Sequence, residues 1–201
     1  MIFVAFLDAA WVATTATREL RSARDSLQRG ASSLVEGRID DARAAFVLAN
    51  ASADRAVSAM GHPTGRIGSE LPVIGDDIRA VKAIGTASEL GARAGSSLVR
   101  AAQAAGWHGS TAVSLGKGGP FPLTALEAAA PDLDAAASLL GQADATLTPI
   151  GLEGLITPVR DAVASARETL GANERVVGSA AALGHLLPTF LGGEGPRRYL
   201  L

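Results

Sequence analysis

The stretch that decides the fold is residues 159–187, VRDAVASARETLGANERVVGSAAALGHLL. Steps of three and four residues follow one another without a break along Val159, Val163, Ala166, Leu170, Asn173, Val177, Ala180, Gly184 and Leu187. A seven-residue repeat of mostly small apolar side chains is typical of helices that pack along a shared seam. The stretch therefore predicts one long helix that buries this stripe against a neighbouring helix.

Four more stretches carry the same kind of repeat. The two most regular comprise Leu126, Ala129, Leu133, Ala136, Leu140, Ala143 and Leu147, and Ile39, Ala42, Phe46, Ala49, Ala53, Ala56 and Met60. The shorter ones comprise Leu20, Ala23, Leu27 and Leu34, and Ile84, Ala87, Ala94 and Leu98. Because each stripe needs a partner, we expect an all-α fold, an elongated antiparallel bundle of about five long helices with coiled-coil-like packing.

Glycine and proline mark the breaks between these helices. Residues 61–77 and 106–122 lack the repeat and predict loops, the second of them the longest and a possible crossover. Pro131 predicts a kink or a fresh helix start within the fourth stretch. Pro158 fits the opening turn of the last helix, and Pro188 predicts its end.

Composition indicates a core of small side chains and excludes several classes of protein. The 201 residues are 48% hydrophobic but only 4% aromatic, so alanine, leucine and valine must fill a helical core. A formal net charge of -2 argues against nucleic acid as a partner. With no cysteine in the chain, disulfides and thiolate metal sites are excluded.

Residues 1–17, MIFVAFLDAAWVATTAT, form an apolar segment with a single charge at Asp8. The segment is shorter than the ~20 apolar residues of a membrane span, and no basic residues precede it as in a signal peptide. Two interpretations stay open, the first turns of a long buried helix and the outer end of a membrane anchor that begins upstream. Arginines at positions 18, 21 and 24 follow, and such flanking charge usually stays cytoplasmic.

Two strings resemble enzyme motifs, but both matches are incomplete. Ser114 and Lys117 have the serine–lysine spacing of penicillin-binding proteins, but the string lies among glycines and the partner motifs of that family are missing. Gly116-Lys117-Gly118-Gly119 lacks the upstream glycine and the following Ser or Thr of a phosphate-binding loop. We therefore predict no catalytic residues and no enzyme.

Structural roles explain the histidines and the paired acidic residues better than chemical ones. His62, His108 and His185 fall in three segments without a nearby ligand partner in sequence, so we expect surface histidines and no metal or cofactor site. Asp40-Asp41 and Asp76-Asp77 stand at predicted helix starts, where capping explains them better than general acid–base chemistry.

Three smaller features complete the sequence. Asn173 either fixes the register of its seam by pairing with a counterpart or marks a place where the seam turns outward. The Asn50-Ala51-Ser52 sequon lies within a helical stripe, where a glycan is not expected. Residues 37–46, GRIDDARAAF, are similar to a tetratricopeptide helix, but no 34-residue repeat follows and a solenoid is not predicted.

Four strings in order resemble one protein family: LPVIGDDIRAVKAI (71–84), ALEAAAPDLDAA (125–136), PVRDAV (158–163) and LGGEGPRRYLL (191–201). The chain resembles the actinobacterial envelope proteins named domain of unknown function 4012, over nearly its whole length. Members look like single-pass membrane proteins with a cytoplasmic head, one span, a helical region and a larger domain that opens with a strand. The basic head and the full span are not present in this sequence, and the family has no catalytic residues to carry over.

The resemblance implies a domain plan and a role. Residues 1–17 would be a possible remnant of a membrane anchor, 18–190 the helical bundle, and 191–201 the start of a C-terminal domain that is missing here. We expect a non-enzymatic spacer or interaction module in the cell membrane, single-pass, with its helical region extracytoplasmic. Its partners would be that C-terminal domain and an envelope protein or cell-wall polymer. The alternative is a ligand-sensing bundle, in which the loop 106–122 caps a pocket between helices.

Overall fold

The computed structural model describes the backbone of residues 2–60, 75–107 and 123–190, and the side chains of 16–59, 75–107, 124–187 and 190. Within these ranges the chain forms five α-helices and no strands. They are α1 (Ile2–Val35), α2 (Ile39–Met60), α3 (Gly75–Ala104), α4 (Leu123–Leu147) and α5 (Thr157–Phe190). The prediction of an all-α fold with about five long helices is confirmed.

Of the three proline predictions, one is wrong and one is confirmed. At Pro131, α4 continues without a second start, because its neighbours on both sides hold the helix in place despite the lost backbone bond, and the kink that was the alternative stays a prediction. α5 runs past Pro188 to Phe190, so that proline does not end the helix. Pro158 does lie in the first turn of α5, where its missing N–H costs no hydrogen bond.

Each helix packs antiparallel against the next. Phe46, early in α2, meets Val99, late in α3, and Ala94 and Ala87 of α3 meet progressively later residues of α4. The longest helices, α1 and α5, have 34 residues each, or about 51 Å. The bundle is therefore a set of long rods lying side by side.

α3 is the central helix and holds two layers together. Among the described helices, α1 and α2 contact each other and α3, while α4 and α5 contact each other and α3. Neither outer pair contacts the other within the described residues. We call these groups the first layer (α1, α2, α3) and the second layer (α3, α4, α5). The arrangement is two three-helix layers that share one helix.

Small side chains let α3 serve both layers. The predicted stripe with Ala87 and Ala94 faces α4 and α5. A second buried stripe with Ala92, Gly95 and Val99 lies on the side that meets α2. Helices can approach closely when alanine and glycine occupy their contact positions. α3 thus buries one face against each layer, and ten of its 30 residues are buried.

Phe46 fills the centre of the first layer. Its ring is 4% exposed and lies where α1, α2 and α3 meet. A Cβ atom added at Gly95 would lie 2.3 Å from the ring, and one added at Gly30 would lie 2.8 Å from it. Glycine within a helix costs about 1 kcal/mol of stability relative to alanine. Both positions accept this cost because only a residue without a Cβ atom leaves space for the ring.

Buried serines in the seams are satisfied by arginines one turn further along the same helix. Arg29 donates to Ser26 at 2.9 Å, and the same three-residue spacing recurs twice, at Ser52 with Arg55 and at Ser97 with Arg100. Two of these arginines also reach a neighbouring helix. Arg55 pairs with Glu19 of α1 at 3.0 Å, and Arg100 pairs with Asp132 of α4 at 2.8 Å.

The turn between α4 and α5 is held by two side chains. Arg167 of α5 donates to the carbonyls of Leu147 at 3.2 Å and Thr148 at 3.1 Å, which the end of α4 leaves without helical partners. Asp77 of α3 accepts from the backbone N–H of Ile156 at 3.0 Å, just before α5 begins. This carboxylate therefore also favours the positive end of α5.

The N-terminal segment is helical from Ile2, which both interpretations of it allow, and the burial of its side chains up to residue 15 lies outside the described residues. None of the helices in the described part of the chain combines the length and apolarity that crossing a membrane requires. The predicted start of a further domain at 191–201 lies outside the described residues.

The fit of Phe46 predicts opposite effects for two glycines one turn apart in α3. Gly95→Ala should destabilise the fold by about 1–3 kcal/mol, because the new methyl group overlaps the ring. Gly91→Ala is the matched control, since a Cβ there meets nothing within 4 Å, and it should stabilise by up to about 1 kcal/mol. Urea unfolding followed by circular dichroism measures both, and equal effects would contradict this packing.

Candidate functional site

The candidate site is a recess at the end of the first layer. It is lined by Gly37, Arg38, Ile39, Asp40, Asp41, Gln103, Gly106 and Trp107, and we call it the end recess. Its volume is about 580 Å³, which lies within the range of small-molecule sites. The ends of α1 and α3 and the beginning of α2 all meet there.

Two helix ends of the same kind build the walls. At the end of α1, Gly37 donates to the carbonyl of Leu34 and Arg38 to that of Ser33. At the end of α3, Gly106 donates to Gln103 and Trp107 to Ala102 in the same pattern. These are Schellman motifs, which need a left-handed residue after the helix. Gly37 has φ 78° and Gly106 has φ 64°, so glycine is required at both turns.

Trp107 ties the two helix ends together. Its indole Nε1–H donates to the carbonyl of Leu34 at 2.9 Å, across 73 residues of sequence. Because that donor is engaged, the half-buried ring offers its face and edge to the recess rather than its N–H. The indole is therefore both a structural clamp and the main aromatic surface of the recess.

Charged groups on the rim are largely paired with each other. Arg38 contacts Glu36, bonds Asp41 at 3.1 Å, and donates to the buried Ser33 at 3.3 Å. Asp40 pairs with Arg43 at 2.9 Å. The rim thus combines exposed, paired carboxylates with a guanidinium that already has three partners. The charged side chains among the eight lining residues are those of Arg38, Asp40 and Asp41.

The structure leaves the enzyme-like strings untested. Ser114, Lys117 and the glycines around them lie outside the described residues, as do His62 and His108. The loop 106–122 is described only at Gly106 and Trp107, and these two residues line the end recess. Residues 37–46, which are similar to a tetratricopeptide helix, overlap the end recess, because residues 37–41 form one side of that recess.

His185 is an exposed residue on α5, as predicted, but it has an acidic partner. Its Nε2 lies 2.7 Å from Asp134 Oδ2 of α4, 51 residues away. No group of three or more potential metal ligands occurs within the described ranges. The pair therefore links α4 to α5 at the surface.

The other polar candidates have structural surroundings. Asp40, Asp41, Asp76 and Asp77 all lie in first turns, as predicted. Asn173 is exposed, so the seam turns outward at that point and the register hypothesis is wrong. In the sequon, the hydroxyl of Ser52 is buried and bonds Ser22 of α1 at 3.1 Å.

Sequence reasoning missed the main residues of the end recess. Arg38 and Trp107 carry no motif, and their nearness depends on how α1 and α3 end. A usable signal exists, because Glu36-Gly37-Arg38 and Ala105-Gly106-Trp107 each place glycine directly after a helical stripe, as a Schellman motif requires.

Comparison with known proteins gives no relative. No protein-family model matches the chain, and no curated protein or solved structure matches it significantly.

Replacing the indole tests its role as a clamp. Trp107→Phe should lower the free energy of unfolding by about 1 kcal/mol, because one part-buried hydrogen bond is lost while Gly37 still donates to Leu34. Gln103→Ala, at an exposed position of the same recess, should change it by less than about 0.5 kcal/mol. Thermal unfolding measures both, and an unchanged midpoint for Trp107→Phe would contradict the clamp.

Proposed function

We propose that the chain is a non-enzymatic helical spacer and interaction module of a bacterial cell-envelope protein, of the kind named domain of unknown function 4012. In this proposal it stands next to the membrane, on the extracytoplasmic side, and separates a membrane anchor from a C-terminal domain. The observation that supports it best is the shared helix α3, which joins two layers of long helices.

A spacer must keep its length under thermal motion, and the packing is suited to that. The seams bring helices together through alanine, and the arginines at positions 55 and 100 bridge neighbouring helices through ion pairs. Arg167 and Asp77 fasten the turn at the other end of the second layer. Exposed ion pairs add little individually, but the closely packed seams resist bending.

Distance measurements across α3 test this function. The chain has no cysteine, so Arg24→Cys in α1 and Gln142→Cys in α4 place one spin label in each layer at exposed positions. A rigid spacer should give one narrow distance distribution, together with a longest dimension in X-ray scattering of at least about 50 Å. A broad or double distribution, or a compact β-rich particle, would argue against the proposal.

A second function is favoured by the position of the end recess. Gly106 and Trp107 open the loop 106–122, which the alternative hypothesis places over a pocket between helices. A ligand there would contact the ends of α1 and α3 and the start of α2 at once. Binding would then bias how these three helix ends are held together, which is what a sensing bundle requires.

Trp107 fluorescence discriminates between the two functions. The chain has two tryptophans, so Trp11→Phe leaves Trp107 as the source of the tryptophan fluorescence. Soluble cell-wall fragments are the ligands to be added. Ligand sensing predicts a spectral change and a thermal stabilisation of about 2.7 kcal/mol at a hundredfold excess over Kd. Asp41→Asn should reduce both, whereas Asp54→Asn, exposed elsewhere on α2, should not. No response to any fragment would leave the spacer as the better proposal.

A further inference from the structure

The end recess places an aromatic surface beside polar groups. The indole N–H of Trp107 is already donated to Leu34, so the ring offers a ligand its face and its edge. Ile39 is the other large apolar side chain of the lining. The remaining lining residues are glycines or carry charged or amide side chains. A ligand that fits this recess therefore has a small apolar face and a polar edge.

Hydrogen-bond donors and acceptors lie close together around this surface. The N–H groups of residues 39–41 have no carbonyl partner within α2, because the first such bond of the helix is donated by Ala42. The carboxylates of Asp40 and Asp41 keep acceptor positions beyond those that their arginines occupy. Gln103 adds an exposed amide, which both donates and accepts. Hydroxyl groups match this mixed set, since each of them also donates and accepts.

The charges on the rim of the recess favour a neutral ligand. Arg38 pairs with Asp41 at 3.1 Å, and Arg43 pairs with Asp40 at 2.9 Å. An anionic ligand would be repelled by the two carboxylates, and a cationic ligand would compete with the arginines that already neutralise them. A neutral ligand can add its hydrogen bonds while both ion pairs stay in place.

We propose that the end recess binds a neutral sugar in its pyranose form, with one face of the sugar ring against Trp107. A pyranose carries C–H groups on its faces and hydroxyl groups around its edge, which is the combination that the recess accommodates. A volume of about 580 Å³ is large enough for a ligand of this size. The inference rests on the second function proposed above, because it names the class of ligand for the same recess.

Titration with small sugars tests the class of ligand. The Trp11→Phe chain is mixed with the methyl glycosides of glucose, galactose and mannose, each in its pyranose form, and the fluorescence of Trp107 is followed. At least one of them should give a saturable change with a Kd of about 1 mM, as expected for so small a ligand. Sorbitol, which has hydroxyl groups but no ring, and glucuronate, which adds a carboxylate, should bind at least about tenfold more weakly than that glycoside.

Gln103→Ala separates sugar binding from folding, because it changes an exposed side chain of the recess. It should raise the Kd of the best glycoside about fivefold, since one hydrogen-bonding partner is lost. Gln142→Ala, at an exposed position of α4 in the second layer, is the matched control and should leave the Kd unchanged. Saturation-transfer NMR on the same glycoside should show the strongest transfer to the C–H protons of one ring face, as stacking on an indole requires.

The possible outcomes separate this inference from the function on which it rests. Equal binding of sorbitol and the glycosides, or an equal Kd for the two glutamine variants, would overturn the sugar site. A response to cell-wall fragments without a response to any of the three glycosides would also overturn it, while ligand sensing would stand. The absence of a response to both kinds of ligand would overturn the sugar site and ligand sensing together, and the spacer function would be unaffected.

Discussion

The structure depends on one constraint, that α3 must bury two faces at once. A helix with neighbours on both sides can hold them at short distance only if its contact positions are small, and α3 meets this with alanine, glycine and serine. Serine in a seam brings a hydroxyl that needs a partner, and Arg100 supplies one to Ser97 from the same helix. Because the guanidinium has donors to spare, it also pairs with Asp132 of the next helix. Close packing thus determines where several of the charges lie.

The sequence predicts the helices well because the repeat is a property of each segment alone. Phe46, Leu140 and Val177 are buried as expected, although Asn173 interrupts the stripe of α5, and α3 covers nearly the range between its two predicted loops. The second stripe of α3 was missed because Ala92 and Gly95 carry little hydrophobic signal, although their spacing is regular. The continuation of α4 through Pro131 depends on the helices packed beside it, and a rule based on the local sequence does not include such contacts.

The candidate site was harder to predict, because it depends on contacts between distant segments. Trp107 and Leu34 are 73 residues apart, as His185 and Asp134 are 51 apart, and no spacing rule links such pairs. The serine–arginine pairs are different, since Ser-x-x-Arg at 26–29, 52–55 and 97–100 is visible in the sequence.

The ring of Phe46 has a mechanical consequence for the two layers. A ring seated against the glycines at positions 30 and 95 opposes axial sliding of the first three helices, since a residue with a Cβ atom brought to either position would overlap the ring. In the described part of the second layer, the seam is built from aliphatic chains such as Leu140 and Val177, which tolerate small displacements. Tension along the rods should therefore be taken up by shear between α4 and α5, while α1, α2 and α3 move as one block.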